Sequence, residues 1–151
     1  TVQLSGEVNA ALVDPDAVGT ITDDDFAQLK HQAGPQVLEG NDGYTMATFT
    51  ATLSTPAAYT ITVDYGTSSG VGINGAVAGE DFVPISGTLT FQSGETLVNY
   101  HVQIIGDTDW ETDESFSSLL SNAIVPIVPN TSIAYILNDD AYVIYTPLIL
   151  K

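Results

Sequence analysis

Apolar residues in this chain recur at every second position, in runs set between clusters of Gly, Pro, Asn, Asp and Ser, while helical spacing is almost absent. Such alternation gives an extended segment one face for a core and one for water, so the chain is predicted to be all-β. The clearest run is 59–65, where Tyr59, Ile61, Val63 and Tyr65 share one face and Thr60, Thr62 and Asp64 the other. Residues 44–53 repeat the pattern through Ala47, Phe49, Ala51 and Leu53, and residues 97–105 through Val98, Tyr100, Val102 and Ile104. Shorter strands are expected at 88–91, 116–121 and 133–137, and the Gly-rich stretch from Gly66 to Gly79 reads as a long mobile loop. Short strands at this spacing suggest two packed sheets, and a chain of 151 residues suits one core rather than two.

Charge narrows the partners. Nineteen acids face only Lys30 and Lys151, a formal charge of −17, which disfavours nucleic acid and anionic lipid, while a hydrophobic fraction of 44% argues against disorder. The absence of cysteine excludes disulfides and thiolate metal sites. No apolar run reaches membrane-spanning length and no signal peptide is visible; a start at Thr1 reads as a processed chain or an excised fragment.

Fourteen of the acids fall in five segments beside predicted strand ends: Asp23 to Asp25, Glu39 with Asp42, Glu80 with Asp81, Asp107 to Glu114, and Asp139 with Asp140. A sandwich gathers alternate loops at one end, where like charges about 4 Å apart cost roughly 1 kcal/mol even in water. With so few basic side chains, a bound cation is the natural neutraliser. Carboxylate oxygens favour calcium over zinc, and magnesium demands a stricter octahedron. The alternative is that the acids sit in solvated turns, and composition does not separate the two.

Other motifs carry less. Gly66-Thr67-Ser68-Ser69-Gly70 matches a nucleophile-elbow pattern, but that chemistry needs a strand, a sharp turn and a helix. His101 alternates onto a polar face and His31 reads as part of a connector, so neither signals a base or ligand. Asp107-x-Asp109-x-Glu111 begins like an EF-hand loop and fails at Thr112 and Ser118, where glycine and glutamate belong. Asp113 with Glu114, or Glu111 with Asp81, would make a glycosidase pair only with one acid held neutral in an apolar cleft, and Trp110 stands among five acids. Trp110 reads as a loop anchor against the sandwich end. Asn130-Thr131-Ser132 fits the glycosylation sequon. The chain is therefore read as no enzyme.

The strings Ala78-Gly79-Glu80-Asp81-Phe82, Gly87-Thr88-Leu89-Thr90-Phe91, Ser93-Gly94-Glu95-Thr96, Ile104-Ile105-Gly106-Asp107 and Glu111 to Phe116 resemble, in order and spacing, the Calx-beta motif of sodium/calcium exchangers, integrin cytoplasmic regions and bacterial surface proteins. Leu120-Ser121-Asn122, Ile136 to Asp140 and Val37-Leu38-Glu39-Gly40 continue it over about residues 26–140. The resemblance implies a seven-stranded antiparallel, immunoglobulin-like β-sandwich whose distal loops bind Ca2+. Carried over residue by residue, it places ligands at Glu39, Asp81, Asp107, Glu111, Glu114, Asp139 and Asp140, with carbonyl ligation near Asp109 and with Asn138 opening a triplet that is usually three aspartates. Gly106 and Thr108 stand where calcium-dense members carry acids, which implies one or two ions rather than four, with dissociation constants of about 10⁻⁴–10⁻³ M.

Residues Leu4 to Asp25 are similar to Leu120 to Asp140 at nearly equal spacing. Residues 1–25 therefore read as the last two strands of a preceding repeat, 26–140 as the Calx-beta domain, and 141–151 as the first strand or linker of a following one. The expected role is a calcium-binding structural module of an extracellular or cell-surface adhesin, sheath or fibre. Its partners would be neighbouring repeats, or identical subunits exchanging terminal strands. An intracellular calcium sensor and a calcium-dependent carbohydrate-binding module are the alternatives.

Overall fold

In the computed structural model, the residues described are 2–3, 5–6, 8–9, 11, 16–20 and 27–142. Near the N-terminus, β1 (Val2–Gln3) pairs antiparallel with β2 (Asp16–Ala17). The body is a two-sheet sandwich built from β3 (Leu29–His31), β4 (Gln36–Leu38), β5 (Tyr44–Leu53), β6 (Ile61–Ser68), β7 (Ser86–Phe91), β8 (Leu97–Ile105), β9 (Glu114–Ser121) and β10 (Thr131–Leu137). One sheet has the order β4-β10-β9-β6-β7 and the other β3-β5-β8. Alternation sets what they bury: Ala47, Phe49, Ala51 and Leu53 of β5 meet Tyr100, Val102 and Ile104 of β8 and Ile61, Val63, Phe91, Phe116 and Leu120 of the facing sheet.

The expected sandwich is present, with differences at its margins. Residues 29–38, unassigned from sequence, form two short strands that lie in different sheets, so that the opening segment crosses from one layer to the other. β4 runs parallel to β10, an exception to the antiparallel plan. The crossing needs Gly34, because a Cβ there would lie 2.0 Å from the Ile133 carbonyl oxygen, and Pro35, lacking an N–H, only accepts, from Tyr135. Counted as one interrupted strand, β3 and β4 bring the body to seven.

β6 starts at Ile61 rather than Tyr59, which is 57% exposed, and continues through Gly66 to Ser68, where a loop is expected from sequence. These residues extend the strand because both flanks pair, Gly66 with Ser86 and with Leu119. The rest of the Gly-rich stretch is fastened: Gly70 N–H donates to Ala76, Ala76 N–H to Ser115, and Ser115 N–H to Asn74, all to carbonyls at 2.8–3.1 Å. Val71 and Ile73 project from its tip.

His31 is not in a connector. It sits in β3, 1% exposed, with Nδ1 donating to the Asn130 carbonyl at 3.3 Å and Nε2 taking the Tyr100 hydroxyl at 2.8 Å. Ser118 Oγ lies 2.6 Å from the same hydroxyl, which completes a buried polar chain between the sheets. His101 lies on the solvent face beside Thr48, as its alternation predicts.

Candidate metal centre

The registers Tyr44↔Ile105, Leu137↔Leu38, Ile136↔Glu114 and Gly66↔Ser86 bring the 39–43, 69–85 and 106–113 connections and the segment after β10 to one end of the sandwich. Ten of the thirteen acids of residues 27–142 lie in these segments and Glu114 opens β9 beside them, Asp64 and Glu95 being the others. Core packing then selects which of them meet. Phe82 stacks on Phe116 with ring centroids 4.2 Å apart, both essentially unexposed, so Asp81, one residue before the first ring, and Glu114, two before the second, arrive at the same place. Glu111 is set by its own N–H, which donates to Asn138 Oδ1 at 3.1 Å. Carboxylate oxygens of Asp81, Glu111 and Glu114 lie within 4.8 Å of one another.

The electrostatics are those of acids held together without a counter-charge. Burial, and then Asp107, Glu111, Asp81 and Asp140, push the Glu39 carboxyl up to about 7; its side chain is 2% exposed. Glu114 is likewise pushed up to about 7 by burial and by a hydrogen bond with Asp81 that requires Glu114 to keep its proton, and then by the charges of Asp81, Glu111 and Glu39. Glu111 is raised by burial, then by Asp81, Asp107, Asp109 and Glu80. Among the described residues, two buried side-chain oxygens have no hydrogen-bond partner: Glu114 Oε2 and Asp140 Oδ2. Oxygen ligands with lone pairs left without a hydrogen-bond partner, in a site of net negative charge, fit a hard divalent cation such as calcium. Calcium held there would supply the missing positive charge and a partner for the free lone pairs.

The remaining residues named from sequence frame the cluster. Asp107 Oδ1 accepts the Asp109 N–H at 2.7 Å, and both side chains are exposed. Asp139 Oδ1 accepts the Gly40 N–H at 3.0 Å, and Asp140 Oδ1 the Asn41 Nδ2–H at 2.7 Å, tying the last segment to the first loop. Asn138 uses both ends of its amide, accepting from Glu111 N–H and donating to the Asp140 carbonyl at 2.9 Å. Asn41 and Asn74 are not singled out by the sequence, and Asp113 is weighed there only as half of a glycosidase pair and not as part of the metal site. Asp113 Oδ1 accepts the Asn138 N–H, and Asn74 Nδ2 donates to the Asp113 carbonyl, both at 3.1 Å. The adjacency of Asn41 to Gly40 and Asp42 was the available signal. Trp110 is half-exposed and meets Tyr142 edge-on, with centroids 5.0 Å apart.

Gly106, where calcium-dense members carry an acid, has a backbone reason. A Cβ there would lie 2.3 Å from the Gly40 carbonyl oxygen, so the close approach of the two loops excludes any side chain.

An all-β sandwich with a carboxylate cluster at one end defines a binding module of the Calx-beta class, and sequence comparison agrees. The Calx-beta domain model matches residues 30–140, and the chain belongs to that family, one of binding and regulatory domains. It is similar in structure to the Calx CBD1 domain solved in its apo form, with 28% identity, a TM-score of 0.64, and coverage of 77% of this chain and 100% of that one. It is similar also to the calcium binding domain CBD12 of CALX1.1, with 28% identity and a TM-score of 0.63, over 74% of this chain but only 44% of that one. The Calx CBD2 domain shares the fold at 13% identity and a TM-score of 0.62, over 74% of this chain and 86% of that one.

Proposed function

We propose that the chain is a non-catalytic calcium-binding module, in which ions at the acidic end neutralise Glu39, Asp81, Glu111 and Glu114 and stiffen the loops around them. The observation that carries this reading is the unpartnered, buried Glu114 Oε2 within a cluster whose three carboxylates approach to 4.8 Å. The shared family and the likeness to the calcium binding domain CBD12 of CALX1.1 support it. Asp107, Asp109, Asn138, Asp139 and Asp140 supply further oxygens at the rim, and one or two ions suit a site in which Gly106 carries no side chain.

The module works on the extracellular or cell-surface side, in an adhesin, sheath or fibre, and joins neighbouring repeats or identical subunits through its terminal strands. The likeness of residues 1–25 to 120–140 supports that organisation. The β1–β2 pair falls within the first segment, while residues 21–26 and 143–151 lie outside the described residues. Calorimetric titration with calcium, against magnesium at equal ionic strength, tests the binding. Saturable calcium heat with little from magnesium is expected; no saturable heat with either ion overturns the reading.

A further inference from the structure

Sheet edges present unpaired backbone groups, and this fold covers part of its own. The outer side of β3 is occupied by 126–130: Leu29 N–H donates to Pro126, Val128 N–H to Leu29, and His31 N–H to Pro129, at 2.8–3.0 Å. The last half of β8 is covered by Asp81 to Val83, through Ile105 N–H to Asp81 and Val83 N–H to Gln103, both at 2.9 Å. β4 is only three residues long. β7 is six residues long and pairs with β6 alone. Its phase is fixed by Thr67 N–H donating to the Ile85 carbonyl, which turns residues 85, 87, 89 and 91 toward β6 and the backbone groups of Ser86, Thr88 and Thr90 outward. Among the described residues nothing bonds to those outward groups. Residues 86–91 include no charge and no proline, the two usual guards of an open edge.

We infer that the β7 edge is an acceptor for an extended strand, and that its occupant is segment 143–146 of a second copy of this chain. This rests on the reading of assembly through terminal strands. Charge selects the segment. Residues 27–142 carry thirteen acids against Lys30, and residues 1–26 add six more, whereas residues 143–151 (VIYTPLILK) contain no acid and end in Lys151. Length fits as well. The outward groups from Ser86 to Thr90 span about 14 Å, the reach of four to five extended residues. Val143, Ile144, Tyr145 and Thr146 are β-branched or aromatic, and Pro147, which cannot donate, ends the run. The segment follows directly on Tyr142, held against Trp110 at the acidic end, so one copy's acidic end would attach to the next copy's β7 flank.

Light scattering and residue-resolved amide exchange on the full chain, up to about 100 μM, above the micromolar range of ordinary specific contacts, test this. Association with concentration-dependent protection of the Ser86, Thr88 and Thr90 amides is expected. It should be lost in a chain ending at Tyr142, which leaves the sandwich untouched, and in Thr88→Pro, whose thermal melt checks that the sandwich still folds. Association lost on truncation but kept by a folded Thr88→Pro overturns β7 as acceptor and leaves strand exchange standing. Association kept on truncation but lost in Thr88→Pro overturns the tail as occupant in favour of β7 pairing with its own copy. A full chain monomeric throughout overturns both the inference and the assembly reading, and leaves calcium binding to calorimetry.

Discussion

Glu39 carries a cost that calcium would remove. Its carboxyl rises from the ordinary 4.5 to about 7 on folding, so between these values the folded chain holds more protons than the unfolded one and stability falls as pH rises. Glu114 acts in the same sense over the same window. For Glu39 alone the displacement is worth roughly 3 kcal/mol. In chelator, the melting temperature should therefore drop between pH 5 and pH 7.5, and Glu39→Gln should flatten the drop and stabilise the chain at pH 7.5 while weakening calcium binding. A variant that loses stability in chelator at pH 7.5 would show that the buried charge is not the burden. His31 has the opposite sign. Burial holds its imidazole below the usual 6.5, so the unfolded state binds more protons beneath that value and stability is lost as pH falls through it. Tyr100→Phe removes the hydroxyl shared by His31 Nε2 and Ser118 Oγ, and should cost about 1–3 kcal/mol in denaturant unfolding without altering calcium heat.

At the scale of strands and loops, two glycines limit what the acidic end can become. Gly106→Asp would restore the family's acid, yet its Cβ would meet the Gly40 carbonyl at 2.3 Å, so it should lower the melting temperature and fail to add a calcium site by calorimetry. A variant that gains a second binding isotherm with an unchanged melt would contradict this. Gly34→Ala should destabilise more severely, since the crossing between sheets has no room for a methyl group. What was legible in the sequence follows from the same contrast. β5 and β8 announced themselves because nine residues or more alternate cleanly, one face on the core and the other in water. β3 and β4 did not, because three-residue strands that change sheets carry no period, and Gly66 to Ser68 did not, because a glycine in a paired strand reads locally as a turn. Of the site, the strand-end acids were visible as charge. Which acids would meet depended on the Phe82–Phe116 stack, and the burial of Glu39 on a loop approach that no local pattern encodes.

The body formed by residues 27–142 is polarised, with eleven acids at one end and only Asp64, Glu95 and Lys30 elsewhere in it. Two kinds of electrostatic relief act on such an object. Monovalent salt, with a screening length of about 10 Å at 0.1 M, relieves repulsion among the exposed Asp42, Glu80, Asp107, Asp109, Asp113 and Asp139, but reaches Glu39 and the half-buried Glu111 and Glu114 far less. A bound divalent ion relieves the second group specifically. Because the folded loops gather the ligands and the unfolded chain disperses them, calcium at a hundredfold excess over its dissociation constant should add roughly 2.7 kcal/mol, about 10 °C in melting temperature for a body of this size. Sodium chloride at equal ionic strength should recover only a minor part of that shift. The sandwich core lies apart from the acidic loops, so chelation should leave a folded protein with looser loops, retaining its β-sheet circular dichroism but cut sooner by protease between β8 and β9. Equal melting temperatures in calcium and in chelator, at constant ionic strength, would mean that the acidic end is solvated surface rather than a site.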